Sequence, residues 1–386
     1  MTEIVGKGSI RLPDFGLPSD RGGKDLGVFL PMANGGWILS TNSPIKEASY
    51  DYNLDIAKLA EEIGLDFIMS MAKWRGYGGE TQQWRHALDS QMLMAALAAV
   101  TKRVKVLTTV HTLLQNPAVT AKMIATLDLI SHGRAGLNIV TGAYKGEFEQ
   151  MHAWQSKVGH DERYDLADEW ISIIKRLWTE ESVTLHGKYF TMDDCQSDPK
   201  PAKPPFLVCA GTSTRGMRFT ADQADAMFCG GKDDIELANL SKNVKAMARE
   251  SGRSIKTYTM MNLVIGETDA DAEAQADYFR AGFDMEACKG MMRAYGFLDA
   301  EIGKENSFVQ NARSSFMSAK IIGSAGTVTN RLIEMIERCD LDGIMLIFPE
   351  YLKSMPVFAR EIMPQIRSRF PERAHFPDQG EFADAV

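Results

Sequence analysis

Cysteine is scarce in this chain: its 386 residues include five, Cys195, Cys209, Cys229, Cys288 and Cys339. None forms a Cys-x-x-Cys pair or a zinc spacing, so neither a redox dithiol nor a metal site is expected. An odd, dispersed set fits reduced thiols and a cytoplasmic location. Long apolar runs are missing as well. No stretch reaches the ~18 apolar residues that mark a membrane helix, and no apolar segment near the N-terminus is flanked by basic residues. Neither a span nor a secretory signal is therefore expected. Lys and Arg number 43 against 51 Asp and Glu, a formal charge of −8. That balance argues against a general nucleic-acid surface and leaves room for a local pocket that takes a small anion. No Gly-x-Gly-x-x-Gly opens a helix after the first strand, so a dinucleotide site of that kind is unsupported. No Gly-x-Ser-x-Gly elbow presents a serine nucleophile. His86, His111, His132, His152 and His160 share no metal-ligand spacing.

What is present is an alternation. Hydrophobic residues make up 45% of the chain, ample for one large core. Short apolar runs occur at Leu26–Met32, Leu65–Met71, Val104–Val110, Gly136–Val140, Phe206–Ala210, Ala226–Cys229, Tyr258–Ile265 and Gly343–Phe348. Helical patterns separate them. Around Tyr52–Gly64, the residues Tyr52, Ile56, Leu59, Ala60 and Ile63 fall on one stripe, with Gly64 as a stop. Around Glu162–Trp178, the stripe is Leu166, Trp170, Ile173, Ile174 and Leu177. Eight parallel strands with helices between them predict a closed (β/α)8 TIM barrel, an α/β fold, over residues 25–370. Residues 1–24 read as an N-terminal arm and 371–386 as a C-terminal tail. Two segments break the alternation and read as insertions on βα loops. One is a hairpin near 183–195, turning at His186-Gly187. The other is a polar, Met-rich stretch near 283–316.

In such a barrel, chemistry sits at the C-terminal ends of the strands. That rule selects Ser70, Lys73 and Arg75, then Thr108, Thr109 and His111, then Asn138, Thr141 and Gly142, then Gly211-Thr212-Ser213-Thr214. Asn138 is the most unusual, an amide inside the apolar run Gly136-Leu137-Asn138-Ile139-Val140. Left unpaired there, it would cost ~1–3 kcal/mol. Thr109 taken alone reads as an ordinary strand threonine. Ser213 and its neighbours open a helix, where backbone N–H groups can hold a phosphate, although the pattern by itself favours a plain N-cap. Arg163-Tyr164 at a helix start offers a phosphate partner and a stacking ring, or else a surface charge pair with Asp161 and Glu162. His111 alone reads as a loop histidine.

Several longer segments carry a resemblance. Asn34-Gly35-Gly36-Trp37-Ile38-Leu39-Ser40-Thr41, Ser70-Met71-Ala72-Lys73-Trp74-Arg75-Gly76-Tyr77-Gly78-Gly79 and Gly133-Arg134-Ala135-Gly136-Leu137-Asn138-Ile139-Val140-Thr141-Gly142 resemble the bacterial-luciferase-like flavin monooxygenases. So do Phe190–Cys195 and Cys209–Ser213. The Ser-Met-x-Lys segment is similar to a branch that oxidises pyrimidine rings. Tyr144–Phe148 and His160–Tyr164 are similar to a branch that acts on dimethyl sulfone. The resemblance implies a barrel of the bacterial-luciferase type. It also implies roles: Ala72, Lys73, Asn138, Glu147, Arg163, Tyr164 and Ser213 contact FMN, the last three near its ribityl phosphate. Thr109 and Asn138 serve catalysis by donating hydrogen bonds beside the flavin, where oxygen binds. The implied reaction uses FMNH2 and O2, with NAD(P)H acting only through a separate flavin reductase. A flavin peroxide then oxygenates an amide-type carbon of a small nitrogen heterocycle. C–S oxidation of a small sulfone or sulfonate is the alternative within the family, and deazaflavin-dependent hydride transfer is the alternative on the same barrel. The implied assembly is a homo-oligomer. One departure stands out: both branches place tryptophan after the Thr/Ser-Gly pair, where this chain has Ala143.

Overall fold

In the computed structural model, which describes residues 23–142, 144–154, 159–231, 233–295 and 314–371, each of the eight apolar runs forms a strand. The chain runs β1 (Asp25–Phe29), α1 (Tyr50–Glu62), β2 (Phe67–Met69), α2 (Ser90–Val100), β3 (Lys105–His111), α3 (Pro117–Ser131), β4 (Ala135–Val140), α4 (Lys145–Glu149) and α5 (His160–Thr179). It continues with β5 (Val183–His186), β6 (Thr191–Cys195), β7 (Phe206–Cys209), α6 (Thr214–Gln223), β8 (Ala226–Phe228), α7 (Asp234–Glu250), β9 (Lys256–Gly266), α8 (Asp269–Ala281) and α9 (Met285–Ala294). The last elements are β10 (Lys320–Ser324), α10 (Ala325–Arg338), β11 (Gly343–Ile347) and α11 (Tyr351–Val357). A wide turn then leads into α12 (Met363–Arg369).

Strands follow one another around the sheet as β9-β11-β1-β2-β3-β4-β7-β8, and β8 pairs back to β9, closing an eight-stranded parallel barrel. The strands of a barrel are covered on both faces, which is why they read as unbroken apolar runs rather than alternating ones. Local chemistry sets the helix boundaries. Ser49, Asp89 and Asn116 cap α1, α2 and α3 through their side chains, and Pro117 fills the first turn of α3, where no N–H is needed. Gly64 ends α1 at φ +81°, a left-handed value that glycine adopts without strain. The stripe Leu166, Trp170, Ile173, Ile174 and Leu177 of α5 is fully buried.

Phe67, Phe228 and Tyr258 meet across the barrel interior from β2, β8 and β9, with ring centroids 5.5–6.4 Å apart. Tyr258 also donates its hydroxyl to Asp25 at 2.5 Å, and Lys256 pairs with the same carboxylate at 2.7 Å. Asp25, Phe67 and Lys256 begin β1, β2 and β9, so this cluster lies toward the N-terminal end of the barrel. The hairpin over 183–195 forms as β5 and β6. Two features differ from the sequence expectation. A ninth strand, β10, pairs with the tip of β9 from Asn262 to Gly266, beyond the eight that close the barrel. The Met-rich stretch near 283–316 opens with a regular helix, α9; residues 296–313 lie outside the described residues, as do Ala143, residues 1–22 of the arm and nearly all of the tail. No described helix is long and apolar enough to cross a membrane.

Candidate active site

Alternation along β3 fixes which side chains enter the barrel. Thr108 bonds outward to Ser90 of α2 at 2.9 Å, so Thr109 and His111 face inward. Asn138 lies opposite Thr109 in register on β4. The two side chains meet: Asn138 Nδ2 donates to Thr109 Oγ1 at 3.1 Å, and Thr109 Oγ1 donates its only proton to the Ser70 carbonyl at 2.5 Å. This chain has one possible direction. The Ser70 carbonyl can only accept, so Thr109 has no proton left for Asn138, and the amide must present its NH2 to Thr109. Asn138 Oδ1 then faces away, buried and without a partner. Thr109 therefore has no free donor, and the remaining Nδ2 proton of Asn138 is the donor at this point. In this geometry the Thr109 hydroxyl is committed to the Ser70 carbonyl.

Ser90 supports this arrangement, and nothing in its local sequence marks it. It stands at the first position of α2, where its Oγ lies 2.7 Å from Ser70 Oγ and accepts the Thr109 N–H at 2.8 Å. A buried hydroxyl cluster thus locks the ends of β2 and β3 to α2.

Lys73 and Glu147, implied as separate neighbours of the cofactor, face each other. Lys73 Nζ lies 3.4 Å from Glu147 Oε2, with side-chain exposures of 6% and 3%. Glu147 also accepts the backbone N–H groups of Trp74 and Arg75, which ties α4 to the loop after β2. The ammonium sits 4.5 Å from the Tyr77 ring centroid and 4.6 Å from that of Tyr144. Burial pushes the Lys73 pKa below the usual amine range, and the Glu147 charge and hydrogen bond partly oppose the shift. Tyr77 shares a 3.2 Å contact with the Tyr295 hydroxyl. Tyr77 and Tyr144 also line a cavity of about 920 Å³, together with Arg75 and Arg293. Asn138 is not among its lining residues.

A third group gathers at the start of α6. Ser213 caps this helix, its Oγ accepting Gly216 N–H at 3.1 Å, so the plain N-cap is present, and the same hydroxyl also bonds Tyr164. A Cβ at Gly211 or at Gly216 would lie 2.6 Å from the Tyr164 hydroxyl, so glycine is needed at both for that ring to fit. Burial raises the Tyr164 pKa, with Cys209 adding to the rise and the Thr141 and Ser213 hydroxyls opposing it. Arg163 lies over the Trp154 ring at 5.1 Å. Its Nε is buried without a partner. Among the described residues no carboxylate pairs with it. Asp161 bonds His160 and Glu162 caps Gly159, so the surface charge pair considered for Arg163 does not form. Ala72 lies in the loop after β2, its carbonyl 3.3 Å from His111 Nε2.

A closed parallel barrel with polar side chains gathered at the C-terminal strand ends defines an enzyme of TIM-barrel type. The chain belongs to the luciferase-like monooxygenase family, whose model matches residues 25–339, and is an oxidoreductase. It is similar to the pyrimidine monooxygenase RutA of Variovorax paradoxus (strain S110), at 36% identity over 364 residues, covering 92% of this chain and 98% of that protein. The RutA of Methylorubrum extorquens (strain ATCC 14718 / DSM 1338 / JCM 2805 / NCIMB 9133 / AM1) is 37% identical over 352 residues, covering 89% of this chain and 96% of that protein. Among solved structures, a riboflavin lyase, RcaE, shares the fold with a TM-score of 0.80 at 22% identity, covering 90% of this chain and 92% of its own. DmoA from Hyphomicrobium sulfonivorans gives 0.77 at 20% identity, covering 90% and 88%.

Proposed function

We propose that this protein is a monooxygenase that uses reduced FMN and O2 to oxygenate a small nitrogen heterocycle of pyrimidine type at an amide-type carbon. The observation that carries the reading is the directional chain Asn138–Thr109–Ser70, which holds one amide N–H and one bare amide oxygen inside the barrel. The residues fit FMN. The orphaned Arg163 Nε, the Ser213 hydroxyl and the two glycines beneath Tyr164 form a cradle for a phosphate at a helix N-terminus. Bound FMN, once reduced, supplies the electrons that activate O2. Arg163, Tyr164 and Ser213 would hold its phosphate end, and Ala72 and the Lys73–Glu147 pair would border its ring. Asn138 presents a preorganised N–H to negative charge developing on oxygen, and Thr109 keeps that amide from turning over. The low dielectric of the buried site strengthens this interaction.

No nicotinamide fingerprint occurs in the sequence, so a separate NAD(P)H-dependent flavin reductase supplies the reduced cofactor. Val119, Met123 and Ile130 fall on one face of α3 and remain exposed, which supports a homo-oligomer joined through that helix. The test of function combines the protein, a flavin reductase, NADH, FMN, uracil and ¹⁸O₂. Incorporation of one ¹⁸O atom into the pyrimidine product, dependent on this chain, is expected. Reductase-driven oxygen consumption with unlabelled, unchanged uracil would overturn the reading.

A further inference from the structure

His111 Nδ1 is a further buried atom without a partner, and the Asn138–Thr109–Ser70 chain does not use it. It is the last residue of β3, two positions beyond Thr109, so its side chain faces the barrel interior one layer nearer the mouth. Only 7% of it is exposed. Its Nε2 lies 3.3 Å from the Ala72 carbonyl. A carbonyl only accepts, so Nε2 carries the proton and Nδ1 of the neutral ring holds a bare lone pair. That Nδ1 is buried without a hydrogen-bond partner. The ring stands edge-on to Phe148 of α4, with centroids 5.1 Å apart. Burial keeps the imidazole neutral by lowering its pKa, Glu147 and the Ala72 carbonyl pull the other way, and Lys73 adds to the lowering. These are the charged groups that act on it, from α4 and from the loop after β2.

A buried acceptor is normally supplied with a donor, from the protein, from ordered water or from a ligand. Asn138 Oδ1 stands one layer deeper on the neighbouring strand with the same need. From this pairing we infer that His111 is a specificity-determining residue whose Nδ1 accepts a ring N–H of the substrate. The inference rests on the function proposed above and narrows it: the heterocycle must carry an unsubstituted lactam or imide N–H. Methylation of that nitrogen removes the donor and places a methyl group against the imidazole.

The experiment measures equilibrium binding of uracil, 1-methyluracil and 3-methyluracil to the FMN-loaded protein, for wild type, His111→Ala and His111→Asn. Wild type is expected to bind uracil at least about tenfold more tightly than one of the two N-methyl compounds, a cautious figure for a site built around a substrate N–H. His111→Ala should lose that discrimination while FMN affinity stays within about twofold, a change that general unfolding cannot produce. His111→Asn, whose amide oxygen lies near the former Nδ1, should restore part of it. Wild-type uracil binding should weaken as pH falls through the His111 pKa, which lies below the usual imidazole value of about 6.5, because a protonated Nδ1 no longer accepts. In His111→Asn this dependence should vanish. If wild type discriminates and His111→Ala discriminates equally, the role of His111 is wrong and the pyrimidine reading stands. If wild type binds none of the three compounds, both fall, and the wild-type titration alone reveals it.

Discussion

Replacing Thr109 with valine tests the chain of hydrogen bonds at the heart of the site. Valine keeps the branched shape and deletes the hydroxyl, so packing changes little while two bonds vanish at once. The Ser70 carbonyl loses its 2.5 Å donor, and Asn138 Nδ2 loses its 3.1 Å acceptor. Each buried group left unpaired costs about 1–3 kcal/mol, so a measurable loss of stability is expected. The effect on rate is separate. With Thr109 gone, nothing dictates which end of the Asn138 amide faces the barrel interior. Complete loss of one donor to developing oxygen charge costs roughly 2.7–4 kcal/mol, or about 10²–10³ in rate. Here the donor is disoriented rather than deleted, so Thr109→Val should slow oxygenation by at least about tenfold. Thr109→Ser, which keeps the hydroxyl, should recover most of the rate. The assay is single-turnover product formation from pre-reduced FMN, with FMN affinity measured in parallel and expected to change little. A folded Thr109→Val protein that oxygenates at the wild-type rate would refute the positioning role.

Three further outcomes follow from the geometry. Lys73→Met strands the buried Glu147 carboxylate, and breaking such a pair from one side costs about 3–5 kcal/mol, read as a lower urea midpoint; adding Glu147→Gln should recover part of it, and an unchanged midpoint in the single variant would show that the pair contributes nothing. Ser213→Ala should weaken FMN binding and leave riboflavin binding nearly unchanged, so the ratio separates a phosphate contact from the ~0.5–2 kcal/mol a lost N-cap removes from stability; wild-type protein that binds both flavins equally would contradict the cradle. Folding lowers the His111 pKa, so the unfolded chain binds more protons between that value and about 6.5; stability therefore falls as pH drops through this window, and the slope should be smaller in His111→Asn, with identical slopes arguing against a buried neutral imidazole.

The barrel strands were legible because a strand buried on both faces must be apolar throughout, and eight such runs stand out between amphipathic helices. The ninth strand was not. In Lys320–Ser324 buried and half-buried positions alternate, and this strand pairs with β9 alone, so no continuous run announces it. The helix at Met285–Ala294 was not readable because Gly290 interrupts an otherwise helix-favouring run of Met, Glu, Ala, Lys and Arg. Asn138 was legible as an amide where only apolar side chains are expected. Its partner on β3 was not readable from spacing, because a threonine in a strand is ordinary until its neighbour is known. Lys73 and Glu147 lie 74 residues apart, and their pairing exists only once β2 and β4 have docked on either side of β3. Ser90 and the unpartnered nitrogen of His111 carry no sequence signal: each is defined by what surrounds it.

The C-terminal helix α12 reaches back to the beginning of the barrel. Arg367 donates to the Lys24 carbonyl, 343 residues earlier, and to Asp66, whose carboxylate also accepts the Leu26 N–H. Every residue assigned to the cofactor or to oxygen comes from the span between Ala72 and Ser213, so the functional groups are synthesised long before the cylinder can close. Until β11 emerges and docks beside β1, the nascent half-sheet has an unpaired edge of apolar strands, the kind of surface that recruits other chains. Contacts this distant in sequence form slowly, since long loops must be ordered first. Folding of this protein should therefore end with the joining of its two extremities. A fragment ending after α6 would contain every assigned side chain and still be prone to aggregate.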